Sequence, residues 1–187
     1  MNLIPTPILD LYVIEPRVFR DERGYFLEHF NEEKFDNKGL VSHFVQDNQS
    51  KSSYGVVRGL HYQLAPYAQT KLVRVIEGKI FDVAVDIRKN SPTYGHYYGL
   101  ELSSENFLQL FIPKGFAHGY SVLSPIAIVH YKCDTFYAPG SEKGILYNDK
   151  SLSIDWHVKP KDAIVSPKDK MWPVFNEAEM NFIFGDI

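Results

Sequence analysis

Short strand-like runs, separated by turn signals, recur along the chain and constrain its fold more than any other feature. The clearest run covers residues 80–88, where Phe81, Val83, Val85 and Ile87 lie on one face of an extended chain. The residues at positions 82, 84, 86 and 88 lie on the other face. Alternation with a period of two is the pattern of a β-strand.

Similar runs extend over much of the chain. Further strand candidates are Leu72–Ile76, His96–Leu102, Phe107–Ile112, Gly119–Leu123 and Ile126–Cys133. Helix signals are few: Asn31 is placed to cap a short helix that ends before Gly39, and residues 176–182 favour a short terminal helix. The polar segment 46–53 is typical of a loop, although its amides equally suit hydrogen bonds to a sugar or a base. Repeated short strands with almost no helix predict an all-β fold, either an antiparallel sandwich or a jelly roll.

Composition limits the classes of function. A chain of 187 residues, 44% of them hydrophobic, with neither a repeat nor a flexible linker is expected to form one domain, residues 1–187. Its formal net charge of −3 excludes the strongly basic surface of a nucleic-acid binder. Its single cysteine, Cys133, cannot form an internal disulfide. The sequence has neither a signal-peptide pattern nor an apolar run long enough to span a membrane, so we expect no membrane contact and a cytoplasmic location.

The segment Gly55–Gln63 carries the residues best suited to chemistry. His61 has an unperturbed pKa of about 6.5, so it can accept and return a proton near neutrality. The ammonium group of Lys71, which opens the next apolar run, could stabilise negative charge on a substrate oxygen. Together they suit proton abstraction beside a carbonyl, although His61 could instead be a hydrogen-bonded core residue and Arg58 a surface charge. In a regular strand Arg58 and His61 face opposite sides, unless Gly59 forms a bulge.

A second motif points to a particular all-β architecture. Pro113–His118 has the Pro-x-Gly-x-x-His pattern of the second motif of cupins, a jelly-roll family. A metal-binding cupin also needs His-x-His and a downstream Glu, because a divalent ion requires three or four converging ligands. Here the corresponding segment is His61-Tyr62-Gln63, and the next carboxylate, Glu77, lies well downstream. The pattern predicts a cupin-like antiparallel jelly-roll barrel with a few short helices, two histidines and no bound metal.

A set of short segments occurs in a fixed order from about residue 4 to residue 173, which is nearly the whole chain. The segments are Phe19-x-Asp21-x-Arg23-Gly24-x-Phe26-x-Glu28, Gln46-Asp47-Asn48, Val57–Gln63, Lys71, Val83-x-Val85-Asp86-Ile87-Arg88, Gly95, Pro113-x-Gly115-Phe116-Ala117-His118-Gly119, Tyr131-Lys132-Cys133, Asn148-Asp149, Ile154-Asp155-Trp156 and Lys168-Asp169. In these segments and their order the chain resembles the dTDP-4-dehydrorhamnose 3,5-epimerase family. Each segment alone is weak, but the ordered set is specific. Two local departures, Tyr54-Gly55 and His157, lie outside the catalytic positions.

The resemblance implies an isomerase of dTDP-L-rhamnose biosynthesis. Such an enzyme inverts C3 and C5 of dTDP-4-keto-6-deoxy-D-glucose and gives dTDP-4-keto-L-rhamnose. His61 would be the base, Asp169 would orient it and stabilise its imidazolium, and Tyr131 would return a proton from the opposite face. Lys71 would stabilise the enolate oxygen, with Arg58 as a helper. The ketone of the substrate accepts the electron pair, so no cofactor is expected.

The resemblance also implies a set of substrate contacts: Arg23, Phe26, Glu28, Gln46, Asn48, Arg58, His118, Tyr137 and Lys168. Phe26 can stack on thymine, Glu28 can accept its imide hydrogen, and Arg23 can meet the diphosphate. In this family some contacts come from the partner subunit, so a homodimer is implied. Open alternatives are an epimerase that inverts one centre or takes a related nucleotide sugar, a non-catalytic sugar-binding jelly roll, and a metal-dependent cupin oxygenase.

Overall fold

The computed structural model describes residues 1–41 and 43–186. Its strands are β1 (Asn2–Pro5), β2 (Tyr12–Glu15), β3 (Val18–Asp21), β4 (Gly24–Leu27), β5 (Gln46–Ser53), β6 (Val56–Gln63), β7 (Lys71–Glu77), β8 (Lys79–Asp86), β9 (Tyr97–Ser103), β10 (Gln109–Ile112), β11 (Phe116–Val122), β12 (Ile126–Cys133), β13 (Glu142–Gly144) and β14 (Ile164–Val165). Helical structure in these ranges comprises α1 (Glu32–Asp36) and 3₁₀ turns at Pro139–Ser141, Pro160–Asp162, Asp169–Met171 and Phe175–Glu177. Asn31 caps α1, as predicted, by accepting a hydrogen bond from the Lys34 amide. None of the helices described is long and apolar enough to cross a membrane.

Two sheets form the body of the structure. Sheet I has the strand order β1-β2-β10-β7-β12-β5. Sheet II has the order β13-β6-β11-β8-β9, and the short strand β14 pairs in parallel with β6. Strands β3 and β4 form a separate two-stranded hairpin. The prediction of an all-β, mainly antiparallel fold is confirmed.

Apolar side chains from both sheets fill the space between them. One buried cluster contains Val73 and Val129 from sheet I together with Ala84 and Val122 from sheet II. Burying such side chains stabilises the fold by about 25 cal/mol for each Å² of apolar surface removed from water. Polar side chains that enter this apolar space are therefore candidates for function.

Strand β8 is buried on both faces, which its alternating sequence does not predict. Val83 and Val85 belong to a second apolar cluster with Phe175 and Phe182 from the C-terminal part of the chain. The C-terminal segment therefore covers the outer face of sheet II. Asp82, on the opposite face of β8, is completely buried as well.

Two local predictions are wrong. The polar segment 46–53 is not a loop but strand β5, which forms the edge of sheet I and pairs with β12 along its full length. An edge strand beside solvent needs no continuous apolar face, so its sequence lacks the usual alternation. Residues 176–182 form no α-helix. Instead, the 3₁₀ turn at Phe175–Glu177 leads into a segment that buries Met180 and Phe182 against sheet II.

A bulge in β6 decides which way two candidate catalytic side chains point. His61 pairs with His118 on β11, and Arg58 pairs with Tyr120, so β6 has one residue more than β11 between these pairs. Gly59 lies in the bulge with φ +116°, and a Cβ atom there would lie 2.6 Å from the backbone of β11. Arg58 and His61 therefore face the same side.

Candidate active site

Four polar side chains meet between the sheets: His61 from β6, Lys71 from β7, His118 from β11 and Tyr131 from β12. They line a cavity of about 230 Å³, here called cavity A, together with Ser50, Arg58, Gly119 and Tyr120. A neighbouring cavity of about 300 Å³, here called cavity B, shares His61, Lys71 and Tyr131 with it. The other residues that line cavity B are Gln46, Asn48, Tyr62, Gln63, Gln69, Tyr137 and Glu142.

His61 and Asp169 form a hydrogen-bonded pair. The Nε2 atom of His61 lies 2.6 Å from Oδ1 of Asp169, and Oδ2 accepts a hydrogen bond from the Gly59 amide. Burial would raise the pKa of Asp169, but hydrogen bonds from His61 and Gly59 outweigh it and hold the pKa below its usual value. Within the described residues, Nδ1 of His61 has no hydrogen-bond partner. That nitrogen is available to a ligand.

A second histidine–carboxylate pair, His118 and Asp82, is more deeply buried than the first. The Nε2 atom of His118 lies 2.8 Å from Oδ1 of Asp82, and Oδ2 has no hydrogen-bond partner among the described residues. Burial lowers the pKa of His118, although Asp82 acts in the opposite direction. The neutral ring of His118 is therefore favoured. The sequence analysis identified His118 but not Asp82, whose position in an alternating strand gives no sign of its burial.

Lys71 and Tyr131 approach each other from neighbouring strands of sheet I, with the Lys71 ammonium 6.0 Å from the centre of the Tyr131 ring. Burial lowers the pKa of Lys71, while Cys133 and Asp82 act in the opposite direction. Burial raises the pKa of Tyr131 to about 12, so its phenol holds a proton at neutrality. As strand alternation predicts, Tyr131 packs against the same apolar cluster as Val129.

Glu142 is a residue of cavity B that the sequence analysis missed. Its Oε2 atom accepts a hydrogen bond from the Tyr137 hydroxyl at 2.5 Å and another from Nζ of Lys168 at 2.6 Å. Burial would raise the pKa of Glu142, but these two bonds outweigh it and hold the pKa below its usual value. The only signal in the sequence is that Glu142 is the single carboxylate between Asp134 and Asp149.

Several of the predicted substrate contacts come together in the structure. Gln46, Asn48 and Tyr137 line cavity B, whereas Arg58 and His118 line cavity A. Lys168 reaches the same region through its ion pair with Glu142. These side chains surround the groups suited to proton transfer.

Three predicted nucleotide contacts lie elsewhere, on or beside the β3–β4 hairpin. The Phe26 residue is 69% exposed, and with Glu28 it lines a separate cavity of about 300 Å³. Glu28 accepts a hydrogen bond from Lys34 at 2.5 Å, and Arg23 forms an exposed ion pair with Asp21. Within one chain, Arg23, Phe26 and Glu28 therefore line neither cavity A nor cavity B.

Gln63 occupies the position at which a metal-binding cupin has its second histidine. Its side-chain amide is hydrogen-bonded to the backbone, and it accepts from the Ala138 amide at 2.7 Å. Across the described residues, no group of three or more His, Cys, Asp and Glu side chains is arranged to hold a metal ion.

Comparison with known proteins identifies the family. A sequence profile of the dTDP-4-dehydrorhamnose 3,5-epimerase family matches residues 5–177, which is most of the chain. The chain belongs to this family. The dTDP-4-dehydrorhamnose 3,5-epimerase of Shigella flexneri is 53% identical over 180 residues, covering 96% of this chain and 98% of that relative. The resemblance inferred from the sequence is confirmed.

Solved structures of family members confirm the predicted cupin-like jelly-roll fold. The dTDP-4-dehydrorhamnose 3,5-epimerase from Elizabethkingia anophelis NUHP1 matches with a TM-score of 0.91 and 56% identity, covering 94% of this chain and 97% of that chain. The dTDP-6-deoxy-D-glucose-3,5-epimerase from Legionella pneumophila Philadelphia 1 was solved in complex with dTDP-4-keto-L-rhamnose. It matches with a TM-score of 0.90 and 48% identity, covering 94% of this chain and 93% of that chain.

Proposed function

We propose that this chain is an epimerase that inverts C3 and C5 of dTDP-4-keto-6-deoxy-D-glucose and gives dTDP-4-keto-L-rhamnose. One observation carries the proposal: the His61–Asp169 pair, Lys71 and Tyr131 converge on the same two cavities. These groups supply a base, a cation and an acid, which are the three functions that inversion beside a ketone requires.

The first step is removal of a proton from the carbon next to the ketone. The C–H electron pair moves into the C4 carbonyl and forms an enolate, while Nδ1 of His61 takes the proton. Asp169 is already ionised and bonded to Nε2, so it orients the ring and stabilises the imidazolium that forms.

The enolate oxygen then carries the negative charge. We assign its stabilisation to Lys71, because this lysine lines both cavities. A positive charge stabilises an enolate oxygen most strongly in a site from which water is excluded. Arg58 lines cavity A as well and supplies a further positive charge and hydrogen-bond donor there. His118 lines the same cavity, but its Nε2 atom is engaged by Asp82, so in the neutral ring it shapes the cavity rather than donating to the enolate.

The second step returns a proton to the other face of the carbon. Tyr131 keeps its proton at neutrality and gives it up only to a strong base such as the enolate. When Tyr131 donates, the C–H bond re-forms with inverted configuration. His61 then gives its proton to solvent, and the Tyr131 phenolate takes one from solvent, which restores the base and the acid. A second cycle at the other carbon completes the reaction, and no metal or redox cofactor enters, because the ketone accepts and returns the electron pair.

We propose that the nucleotide is held partly by a second copy of the chain, in a homodimer. Arg23 and Phe26 lie on the β3–β4 hairpin and Glu28 directly follows it, and none of the three lines cavity A or cavity B of its own chain. An exposed phenylalanine on a projecting hairpin is suited to stack on a base held by another subunit. We also propose that residues 1–187 act as one domain, in the cytoplasm.

The reaction is tested by incubating the protein with dTDP-4-keto-6-deoxy-D-glucose in heavy water. We expect deuterium at both C3 and C5, together with the inverted sugar as product. Deuterium at only one carbon would indicate an epimerase that inverts a single centre. Binding of the sugar without any exchange would overturn the proposal in favour of a sugar-binding protein.

The absence of a metal step is tested separately. Dialysis against a strong chelator should leave kcat and KM unchanged, because none of the proposed steps uses a metal ion. Activity that is lost on dialysis and returns with a divalent ion would contradict this part of the mechanism.

A further inference from the structure

Three glutamine side chains hold the backbone of loop 135–138, which follows β12 and carries Tyr137 into cavity B. Gln69 donates a hydrogen bond to the first carbonyl of the loop at 2.7 Å. Gln46 accepts a hydrogen bond from the Tyr137 amide at 2.9 Å. Gln63 bonds to the backbone of the two residues that flank Tyr137, the carbonyl of Phe136 and the amide of Ala138. We call Gln46, Gln63 and Gln69 the glutamine clamp.

Gln63 is the most heavily bonded member of the glutamine clamp. Its Nε2 atom donates to the carbonyl of Tyr67 at 2.6 Å and to the carbonyl of Phe136 at 3.3 Å. Its Oε1 atom accepts from the Ala138 amide at 2.7 Å. Gln63 is only 4% exposed, so water cannot replace a bond that is lost. One hydrogen and one lone pair of the Gln63 amide are therefore committed to the two residues that flank Tyr137, and the other hydrogen to the carbonyl of Tyr67.

Tyr137 itself has little packing to fix it, because it is 51% exposed. Its hydroxyl donates to Glu142, and Glu142 lies directly opposite Gln63 in the pairing of β13 with β6. The backbone on either side of Tyr137 is thus held from β6, and the hydroxyl of Tyr137 from the neighbouring strand β13. Between these two anchors, its ring lines cavity B, which His61 also lines.

We propose that Gln63 is a positioning residue of the active site, which fixes Tyr137 as a wall of cavity B and so sets how the sugar is held against His61 and Tyr131. The effect on catalysis rests on the proposed function, whereas the effect on loop 135–138 can be measured without substrate. The residue that replaces the second cupin histidine thereby has a physical role of its own.

The kinetic test compares two variants of Gln63 with a matched control. Gln63→Met keeps the length of the side chain but removes every hydrogen bond. Gln63→Glu, when ionised, keeps an acceptor for the Ala138 amide but has no donor for the two carbonyls. We expect KM to rise about tenfold in both, which is the effect of losing about 1.4 kcal/mol of binding. We expect a smaller change in kcat, because the base, the acid and Lys71 are untouched.

The control is Ser121→Ala. Ser121 is completely buried and donates a hydrogen bond to the carbonyl of Trp156 at 2.5 Å, and it lines neither cavity. Losing this hydrogen bond should lower the melting temperature, as the Gln63 substitutions do, but should leave KM unchanged. The comparison separates positioning of the substrate from a general loss of stability.

The substrate-free test is hydrogen exchange at the amides of Tyr137 and Ala138. In Gln63→Met we expect these amides to exchange about tenfold faster or more, because the loop opens without unfolding the sheets. Ser121→Ala should not change them. Unchanged exchange, or faster exchange with an unchanged KM, would overturn the proposal. A wild-type protein without turnover would overturn the proposed function instead, and amide exchange would still decide whether Gln63 holds the loop.

Discussion

Two histidines of the site have different environments, and the difference assigns them different roles. The side chain of His61 is 30% exposed and reaches both cavities, whereas that of His118 is 8% exposed and pairs with the buried Asp82. Burial lowers the pKa of His118, so a proton taken there is held poorly. His61 combines access with an ionised partner, Asp169, that stabilises the protonated ring. It is therefore the residue suited to act as the base.

A first prediction concerns this pair. Asp169→Asn keeps the shape of the side chain but cannot stabilise an imidazolium, so we expect kcat to fall by about 10³- to 10⁴-fold. Binding of dTDP should be nearly unchanged, because Asp169 lies beside the ring rather than at a predicted nucleotide contact. Steady-state kinetics and calorimetric titration with dTDP measure the two effects. A wild-type kcat in this variant would remove Asp169 from the mechanism.

A second prediction separates proton removal from inversion. Tyr131→Phe keeps the ring and its packing but removes the acid, while His61 and Lys71 remain. The enolate should still form, and the protonated His61 should return hydrogen to the same face. In heavy water we expect deuterium in recovered starting sugar at C3 or C5 with little inverted product, measured by NMR. The control, His61→Ala, should show no exchange at either carbon, and inversion at the normal rate in Tyr131→Phe would identify another group as the acid.

At the scale of elements, the bulge in β6 allows the base and Arg58 to share one cavity. The bulge depends on Gly59, whose φ of +116° is unfavourable for residues with a Cβ atom. We predict that Gly59→Ala lowers the free energy of unfolding by about 2–4 kcal/mol, from backbone strain and the clash with β11. The matched control is Gly140→Ala, because a Cβ atom at Gly140 would meet nothing within 4 Å. Denaturant unfolding measures both, and equal stabilities would contradict this account of the bulge.

Some strands and site residues could be predicted from the sequence, and others could not. Strands with one apolar face were predictable, because local alternation reflects local burial. Strand β5 was not, because an edge strand that lines a cavity has polar residues on both faces. The burial of Asp82 and the role of Glu142 were not predictable either. Asp82 is buried by contacts from distant strands, and Glu142 lies in a three-residue strand too short to show a pattern.

At the scale of the whole molecule, one chain does not bring all of the predicted substrate contacts to the same place. The residues proposed for catalysis were identified from motifs, and in the structure His61, Lys71 and Tyr131 line cavities A and B while Asp169 is bonded to His61. Arg23, Phe26 and Glu28 belong to the same family pattern but lie on or directly after a hairpin that serves neither cavity of its own chain. No local pattern specifies whether a hairpin acts on its own chain or on a partner, because that depends on how two surfaces dock. The distinction requires an experiment on mixed dimers.

The last prediction is that two inactive variants complement each other. His61→Ala lacks the base but has an intact hairpin, whereas the double variant Phe26→Ala/Glu28→Ala has the base but lacks the nucleotide contacts. If each hairpin serves the partner's cavity, a mixed dimer contains one complete site. Random reassortment of equal amounts should then restore about a quarter of the wild-type activity, since half the dimers are mixed and each has one working site of two.

Activity is measured at a sugar concentration below the KM of the double variant, after the chains have been unfolded and refolded together. In the control, each variant is unfolded and refolded on its own and assayed without the other, and both samples should stay inactive. Failure to recover activity, in a preparation that forms mixed dimers, would show that the hairpin does not act on the partner's site.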